Sequence, residues 1–303
     1  MRSETRPVGL IGLGLMGGVL AERLIAAGYH VLGFDIDPRR NEALKAAGGR
    51  AAPVAEIARS GAPVLLAVFD TNEVEHVVER ELLPALGDGS GRIVISTSTC
   101  DPDRIEALGA RVSPRGLRLL EVPVSGTSEQ VRRGEGVGLV GGDADTAEEV
   151  RDILGALFRR SFHIGRVGDG GRAKLAVNLI LGLNRLALAE GLVFAERLGL
   201  DPRAFLDVAR GSAASSQVME TKGPKMVRGD FSQEGRMRQT LKDVRLMLDQ
   251  AGKRGQELPL TRIGAELLEA CVRQGEGDLD NSVVIREIRR RASQPDGPDR
   301  PAH

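Results

Sequence analysis

Val8-Gly9-Leu10-Ile11-Gly12-Leu13-Gly14-Leu15-Met16-Gly17 begins as a short apolar run and ends in three glycines spaced G-x-G-x-x-G. Val19 to Ala27 then carries apolar residues at helical spacing and stops at Gly28, so the stretch reads as strand, turn and helix. In that setting the three glycines serve different ends. Gly12 makes the tight turn, Gly14 lets the backbone approach a pyrophosphate, and Gly17 lets the helix pack close. Leu13, Leu15 and Met16 complete the loop expected to touch such a cofactor. A G-x-G-x-x-G string by itself marks only a tight turn. Here it follows a strand, opens a helix, and is answered 18 residues after Gly17 by Asp35, at the end of the next apolar run, His30-Val31-Leu32-Gly33-Phe34. The Asp35 carboxylate is suited to accept hydrogen bonds from the adenosine ribose hydroxyls and to repel a 2′-phosphate, which favours NAD over NADP. Arg39 and Arg40 keep NADP open, since either can pair with a 2′-phosphate or simply sit solvated on a helix surface.

Outward from this unit the alternation continues. Pro38 to Ala47 reads as a helix ended by Gly48-Gly49, Val64 to Val68 as a buried strand, Asn72 to Glu79 as a helix and Arg92 to Ile95 as a strand. Apolar runs at Leu117 to Val122, Gly138 to Val140 and Ser161 to Ile164 extend the sheet, with a helix from about Thr146 to Phe158 before the last of them. Strands alternating with helices imply a doubly wound parallel α/β sheet of Rossmann type, expected over residues 1–165. Beyond it, Arg172 to Leu198 runs through about seven helical turns without proline. Pro202 to Ala209, Phe231 to Gly252 and Leu260 to Gln274 are also helical in pattern, so residues 166–290 are expected to form an all-α C-terminal domain. Residues 291–303, rich in Pro, Asp and Arg, are expected to be disordered.

The bulk numbers exclude more than they identify. The 303 residues suit two domains. Lys plus Arg and Asp plus Glu are 42 each, so no broad cationic field exists to hold a nucleic acid backbone. The two cysteines, Cys100 and Cys271, are too few for a disulfide framework or a four-ligand metal site, and suit a reducing cytoplasm. No signal peptide and no membrane partner is expected from the N-terminal apolar run, which breaks at the glycines.

Two further groups of residues point to chemistry. Glu121-Val122-Pro123-Val124-Ser125-Gly126-Thr127 places a hydroxyl and small residues directly after a predicted strand. The Ser125 hydroxyl and the N–H groups around Gly126 and Thr127 are able to converge on a carboxylate, although an ordinary Gly-Ser turn has the same composition. Gly168-Asp169-Gly170-Gly171 precedes Lys174 and Asn178, whose four-residue step puts both on one face of the long helix. Lys174 there can exchange a proton with a carbinol or carbonyl oxygen if burial or a nearby cation brings its pKa towards neutrality. A lysine near a helix start is otherwise an ordinary solvated residue. His163 sits at a predicted strand end away from the lysine helix, and His30 and His76 lack any metal-ligand spacing, so no metal is expected.

Gly12-x-Gly-x-x-Gly17, Pro123-Val124-Ser125-Gly126, Gly168-x-Gly170-x-x-x-Lys174-x-x-x-Asn178 and Lys242-Asp243 occur in one order at domain-sized spacing over roughly residues 7–290. Together they resemble the β-hydroxyacid dehydrogenase family, of the 3-hydroxyisobutyrate dehydrogenase-like kind. The resemblance implies hydride transfer between NAD, or NADP, and a small carboxylated 3-hydroxy acid. It makes Lys174 the catalytic lysine, Asn178 its support and Ser125 with Gly126 the carboxylate anchor, puts Thr99 beside the cofactor, and sets Lys242 near nicotinamide and substrate. It also implies a homodimer or homotetramer. Thr127 stands where the family usually has glycine, Asp70 where many relatives have proline, and Gly235 where an aromatic is common. Imine reduction on the same fold is an alternative, but relatives of that kind generally replace the lysine. A dinucleotide-binding protein without turnover is another, against which Lys174, Asn178 and Ser125 all count.

Overall fold

The structure is a computed structural model describing residues 6–86 and 91–291, so nearly all of the tail expected at 291–303 lies outside the described residues. The chain divides into two compact units, Met1–Val177 and Asn178–His303. Among the described residues the first unit holds one sheet with strands β1 Pro7–Ile11, β2 His30–Phe34, β3 Arg50–Ala51, β4 Val64–Leu66, β5 Arg92–Ser96, β6 Leu117–Glu121, β7 Val124–Ser125, β8 Val137–Gly141 and β9 Arg160–Gly165. Their order is β3-β2-β1-β4-β5-β6-β8-β7, with β9 on β8. From β3 to β6 every pairing is parallel.

Side chains alternate across these strands, and both faces are buried. Leu10, Leu65, Ile93, Ile95 and Leu120 enter one core with Leu20 and Leu24 of the helix Leu15–Ala26. Ile11, Val64, Leu66, Val94 and Leu119 enter the other with Ile57, Ile105 and Leu108. Double-sided burial is why these strands read as continuous apolar runs. The strand order reverses between β1 and β4, so the crevice beyond their carboxyl ends is the switch point where such sheets take ligands.

The sheet is parallel over β3 to β6, as the alternation implies, and departs from that at β8, which runs antiparallel to both β6 and β7. A parallel return needs a crossover of a dozen or more residues, usually a full helix. The helix after β7, Ser128–Arg132, is five residues long and lets the chain turn straight back. The single helix expected over 146–158 is two, Ala144–Glu149 and Arg151–Leu157.

The long helix Asp169–Arg197 runs across the division at Val177, twelve residues beyond the expected boundary at Gly165. Its first turns belong to the first unit because they are fastened there: Arg172 pairs with Asp103 and Glu106 of the first unit, at 3.1 and 2.6 Å. The second unit continues as Pro202–Arg210, Gln217–Thr221, Gly223–Arg228, Met237–Lys253, Pro259–Arg273 and Val284–Arg290. The helix expected from Phe231 starts only at Met237. The residues before it are held by Asp280, which is fully buried, pairs with Lys222 Nζ at 2.8 Å and accepts the Gly235 N–H at 3.0 Å. Its carboxylate gives those N–H groups partners outside a helix.

Candidate active site

The glycine loop has the geometry a dinucleotide requires. Gly12 has φ +90°, and a Cβ there would lie 2.6 Å from the Ala67 carbonyl oxygen. A Cβ on Gly17 would lie 1.9 Å from the Gly12 carbonyl oxygen, so only glycine closes this turn. The helix Leu15–Ala26 starts without a side-chain cap or an acidic residue in its first turn, leaving its N–H groups and dipole for an anion. Leu13 is buried in the core, Met16 half-buried and Leu15 exposed. These residues fit a pyrophosphate, which Gly14 and the helix start would hold.

Asp35 follows β2 with its side chain buried. Its Oδ2 accepts the Leu13 N–H at 2.7 Å and pairs with Arg40 Nη1 at 3.1 Å, while Oδ1 accepts the Asp37 N–H at 2.8 Å. The carboxylate therefore braces the loop at the ribose end. The two arginines left open by the sequence separate here. Arg39 is exposed and pairs with Asp37, whereas Arg40 reaches over the loop, with Nη1 3.4 Å from where a Gly14 Cβ would stand.

Thr99 is half-buried in the turn after β5. That turn is pinned to the end of β4, where Thr97 Oγ1 donates to the Leu66 carbonyl at 2.9 Å and Ser98 Oγ to that of Val68 at 2.7 Å. Asp70, the departure after Phe69, caps the helix Thr71–His76 by accepting the Glu73 N–H at 3.0 Å. The loops carrying Gly12, Asp35, Phe69 and Thr99 thus leave the carboxyl ends of the parallel strands β1, β2, β4 and β5, and Ser125, in β7, follows the carboxyl end of β6.

Ser125 is half-buried and Gly126 has φ +135°. The expectation that the Thr127 N–H faces an anion is corrected. That N–H donates to Gln130 Oε1 at 2.9 Å, and the Thr127 hydroxyl accepts the Gln130 N–H at 3.2 Å. This capping box starts the helix Ser128–Arg132 and leaves the Ser125 hydroxyl and the Gly126 N–H as candidate anion donors.

Lys174 is 6% exposed in the first unit, one turn into the long helix. Glu121, buried at the end of β6, accepts the Gly168 N–H, and the N–H groups of Gly170 and Gly171 also donate to it. Burial pushes its carboxyl up to about 7, against the pull of those donors and of Arg172. The folded chain therefore holds this proton more tightly than the unfolded chain does. The associated stability is present below about pH 4.5 and is lost as pH rises towards 7. Between pH 5 and 8 we expect the folded protein to lose on the order of 2–3 kcal/mol relative to Glu121→Gln, read as converging or crossing melting temperatures. Parallel Tm curves would show that Glu121 does not titrate there.

In the second unit Asn178 Nδ2 donates to Asp243 Oδ2 at 3.1 Å, and Lys242 Nζ lies 3.2 Å from Asp243 Oδ1. Asp243 thus joins two of the residues singled out in the sequence. Arg185, which no sequence motif marks, is 8% exposed and lines a cavity of about 20 Å³ with Asn178 and Thr261, room for one water. Burial draws its pKa down to about 10, and Asp280 and Asp243 oppose that. His163, by contrast, bonds to the Gly142 carbonyl at 2.9 Å through Nε2.

Residues 7–165 match the family model for the NAD binding domain of 6-phosphogluconate dehydrogenase, and residues 168–288 that for the NAD-binding of NADP-dependent 3-hydroxyisobutyrate dehydrogenase. L-threonate dehydrogenase of Cupriavidus necator is 31% identical over 284 residues, covering 93% of this chain and 96% of that protein. The chain belongs to the 3-hydroxyisobutyrate dehydrogenase-like family of β-hydroxyacid dehydrogenases. Another family relative, 2-hydroxy-3-oxopropionate reductase of Escherichia coli, is 29% identical, covering 93% of this chain and 96% of that one. The crystal structure of 3-hydroxyisobutyrate dehydrogenase from Salmonella typhimurium superposes with a TM-score of 0.85 at 26% identity, covering 93% of this chain and 99% of that chain. Membership makes the protein an NAD(P)-dependent oxidoreductase of the hydroxyacid dehydrogenase type, with a Rossmann-like N-terminal domain and a helical C-terminal domain.

Proposed function

We propose that this dehydrogenase acts on a small 3-hydroxy acid resembling 3-hydroxyisobutyrate, in the cytoplasm, with Lys174 as general acid and base. The supporting observation is that Glu121 ties the strand leading to Ser125 to the start of the helix carrying Lys174, bringing two motifs 49 residues apart in sequence into one unit. In the oxidative direction the carbinol C–H bond breaks and its electron pair leaves as hydride. The O–H bond breaks and its proton goes to the Lys174 amine. Bound nicotinamide supplies the hydride acceptor. Ser125 and the Gly126 N–H hold the substrate carboxylate, and Asn178, one helical turn after Lys174, supports the lysine. Thr99 borders the cofactor.

The test is absorbance at 340 nm with NAD or NADP and a panel of 3-hydroxyisobutyrate, glycerate, 3-hydroxypropionate and L-threonate. Turnover of one such acid, lost with Lys174, supports the reading. Turnover of cyclic imines alone, or tight cofactor binding with no turnover on any substrate offered, would replace it.

NAD is the expected cofactor. Asp35→Ser should shift kcat/KM towards NADP by at least about tenfold, because it removes the repelling carboxylate and frees Arg40 for a 2′-phosphate. An unchanged ratio would mean that Asp35 only braces the loop.

A homodimer or homotetramer is also part of this reading. Ile180, Phe194, Val208, Leu260 and Ile263 are exposed on helices of the second unit. Asp169–Arg197 is by length and composition apolar enough to cross a membrane, with 28% of its most apolar window buried. A second copy of the chain covering that face accounts for both features without a lipid partner. A sedimenting monomer at micromolar concentration would rule it out.

A further inference from the structure

Glu121 has no part in the reaction just described, yet it is buried, charged when ionised, and aimed at the start of the lysine helix. Its carboxylate meets the N–H groups of Gly168, Gly170 and Gly171, and Lys174 follows three residues after the last of them. It is the last residue of β6 and stands four residues before Ser125, which lies in the short strand β7. The surrounding backbone is shaped to let this contact close. A Cβ on Gly141 would lie 2.5 Å from Glu121 Oε1 and 2.8 Å from the Gly170 nitrogen, one on Gly170 would lie 2.5 Å from the Leu139 carbonyl oxygen, and one on Gly171 would lie 3.0 Å from Glu121 Oε2. The helix start therefore rests directly on the backbone of β8, with Glu121 as the side chain that clamps it.

We propose that Glu121 is a positioning residue: as a carboxylate it clamps the start of the Lys174 helix to the end of β6, from which the chain leads into Ser125, and so fixes the distance between proton acceptor and substrate anchor. The inference rests on the reading of Lys174 and Ser125 given above. An ionised carboxylate offers only acceptors to the converging N–H groups, whereas the neutral acid presents them with an O–H donor; burial opposes ionisation, and the fold bears that cost as the stability lost towards pH 7. Its titration, displaced to about pH 7, falls within the ordinary assay range, and Arg172 is the charged group that favours the ionised form. Arg172 is itself held by Asp103, Glu106 and Asp169, so its charge stays in place.

The experiment compares wild type, Glu121→Gln, Gly171→Ala and Lys174→Met for kcat, KM and Tm across pH 5.5 to 9, with NADH binding followed by fluorescence. In wild type, kcat should rise with pH through about 7 as Glu121 ionises. Glu121→Gln should lower kcat at pH 8 by at least about tenfold, abolish that acid limb and leave NADH affinity within about twofold, with Tm at pH 8 unchanged or higher. Gly171→Ala, which crowds Oε2 while keeping the carboxylate, should lower kcat and keep the limb. Wild-type kcat and an intact acid limb in Glu121→Gln would overturn the proposal, and so would a fall in kcat matched by a fall in Tm at pH 8. Full turnover in Lys174→Met would overturn the reading beneath it instead.

Discussion

Lys174→Met is expected to lower kcat by about 10²–10⁴-fold while the dissociation constant for NADH stays within about twofold, because general acid–base catalysis contributes on that scale. The separation of effects follows from placement. The proposed pyrophosphate cradle consists of Gly12, Gly14 and Gly17 after β1, and the close neighbours of these glycines include the Ala67 turn, Val68 and Arg40. Methionine is the better replacement than alanine, since Lys174 is 6% exposed and a truncated side chain would leave a cavity whose collapse could shift the helix. Methionine keeps the length of the stem and removes only the amine. KM for the acid should change little, because in the proposed mechanism the lysine meets the reacting oxygen and Ser125 the carboxylate; a loss confined to KM would instead make Lys174 a binding residue. Steady-state rates with the active acid, read alongside NADH fluorescence titrations, separate these outcomes.

What the sequence made legible depended on how local each signal was. The fingerprint could be read because strand, turn and helix are contiguous, and Lys174 because Gly168 and Gly170 before it and Asn178 one turn later complete a motif that resembles the family's. Glu121 could not be read in the same way, since its meaning lies in N–H groups 47 to 50 positions later and in the bare backbone of Gly141. The capping box at Thr127 was legible in principle, as Thr127-Ser128-Glu129-Gln130 has the required spacing, but the same stretch also reads as an anion turn. The antiparallel β8 turned on helix length: nothing in an apolar run states its direction, and only the shortness of Ser128–Arg132 does. In the second unit, the late start at Met237 depended on the buried Asp280, more than 40 residues further on. Helical periodicity across Phe231–Gly252 says nothing about such a competitor for backbone N–H groups.

The same reasoning makes the glycine loop the second place where a single atom should have a large effect. Gly17→Ala adds a Cβ that would stand 1.9 Å from the Gly12 carbonyl oxygen and 3.2 Å from the Ala67 Cβ. The first neighbour is backbone and cannot rotate away, so either the turn opens or the helix Leu15–Ala26 withdraws from the strand. Overpacking of this kind costs about 1–3 kcal/mol, and because the strained state is the one that presents the N–H groups to the pyrophosphate, the cost should fall largely on binding. That corresponds to a loss of NADH affinity of about tenfold to a hundredfold. Gly18→Ala is the matching control, since its Cβ would meet only the Leu13 carbonyl oxygen at an ordinary 3.6 Å. It should bind NADH like wild type and gain slightly in stability, alanine being worth roughly 0.5–1 kcal/mol over glycine within a helix. Equal affinity in both variants would mean that the turn yields without cost. Equal loss in both would place the cofactor against the helix face rather than in the cradle, and the roles assigned to Gly12, Gly14 and Gly17 would go with it.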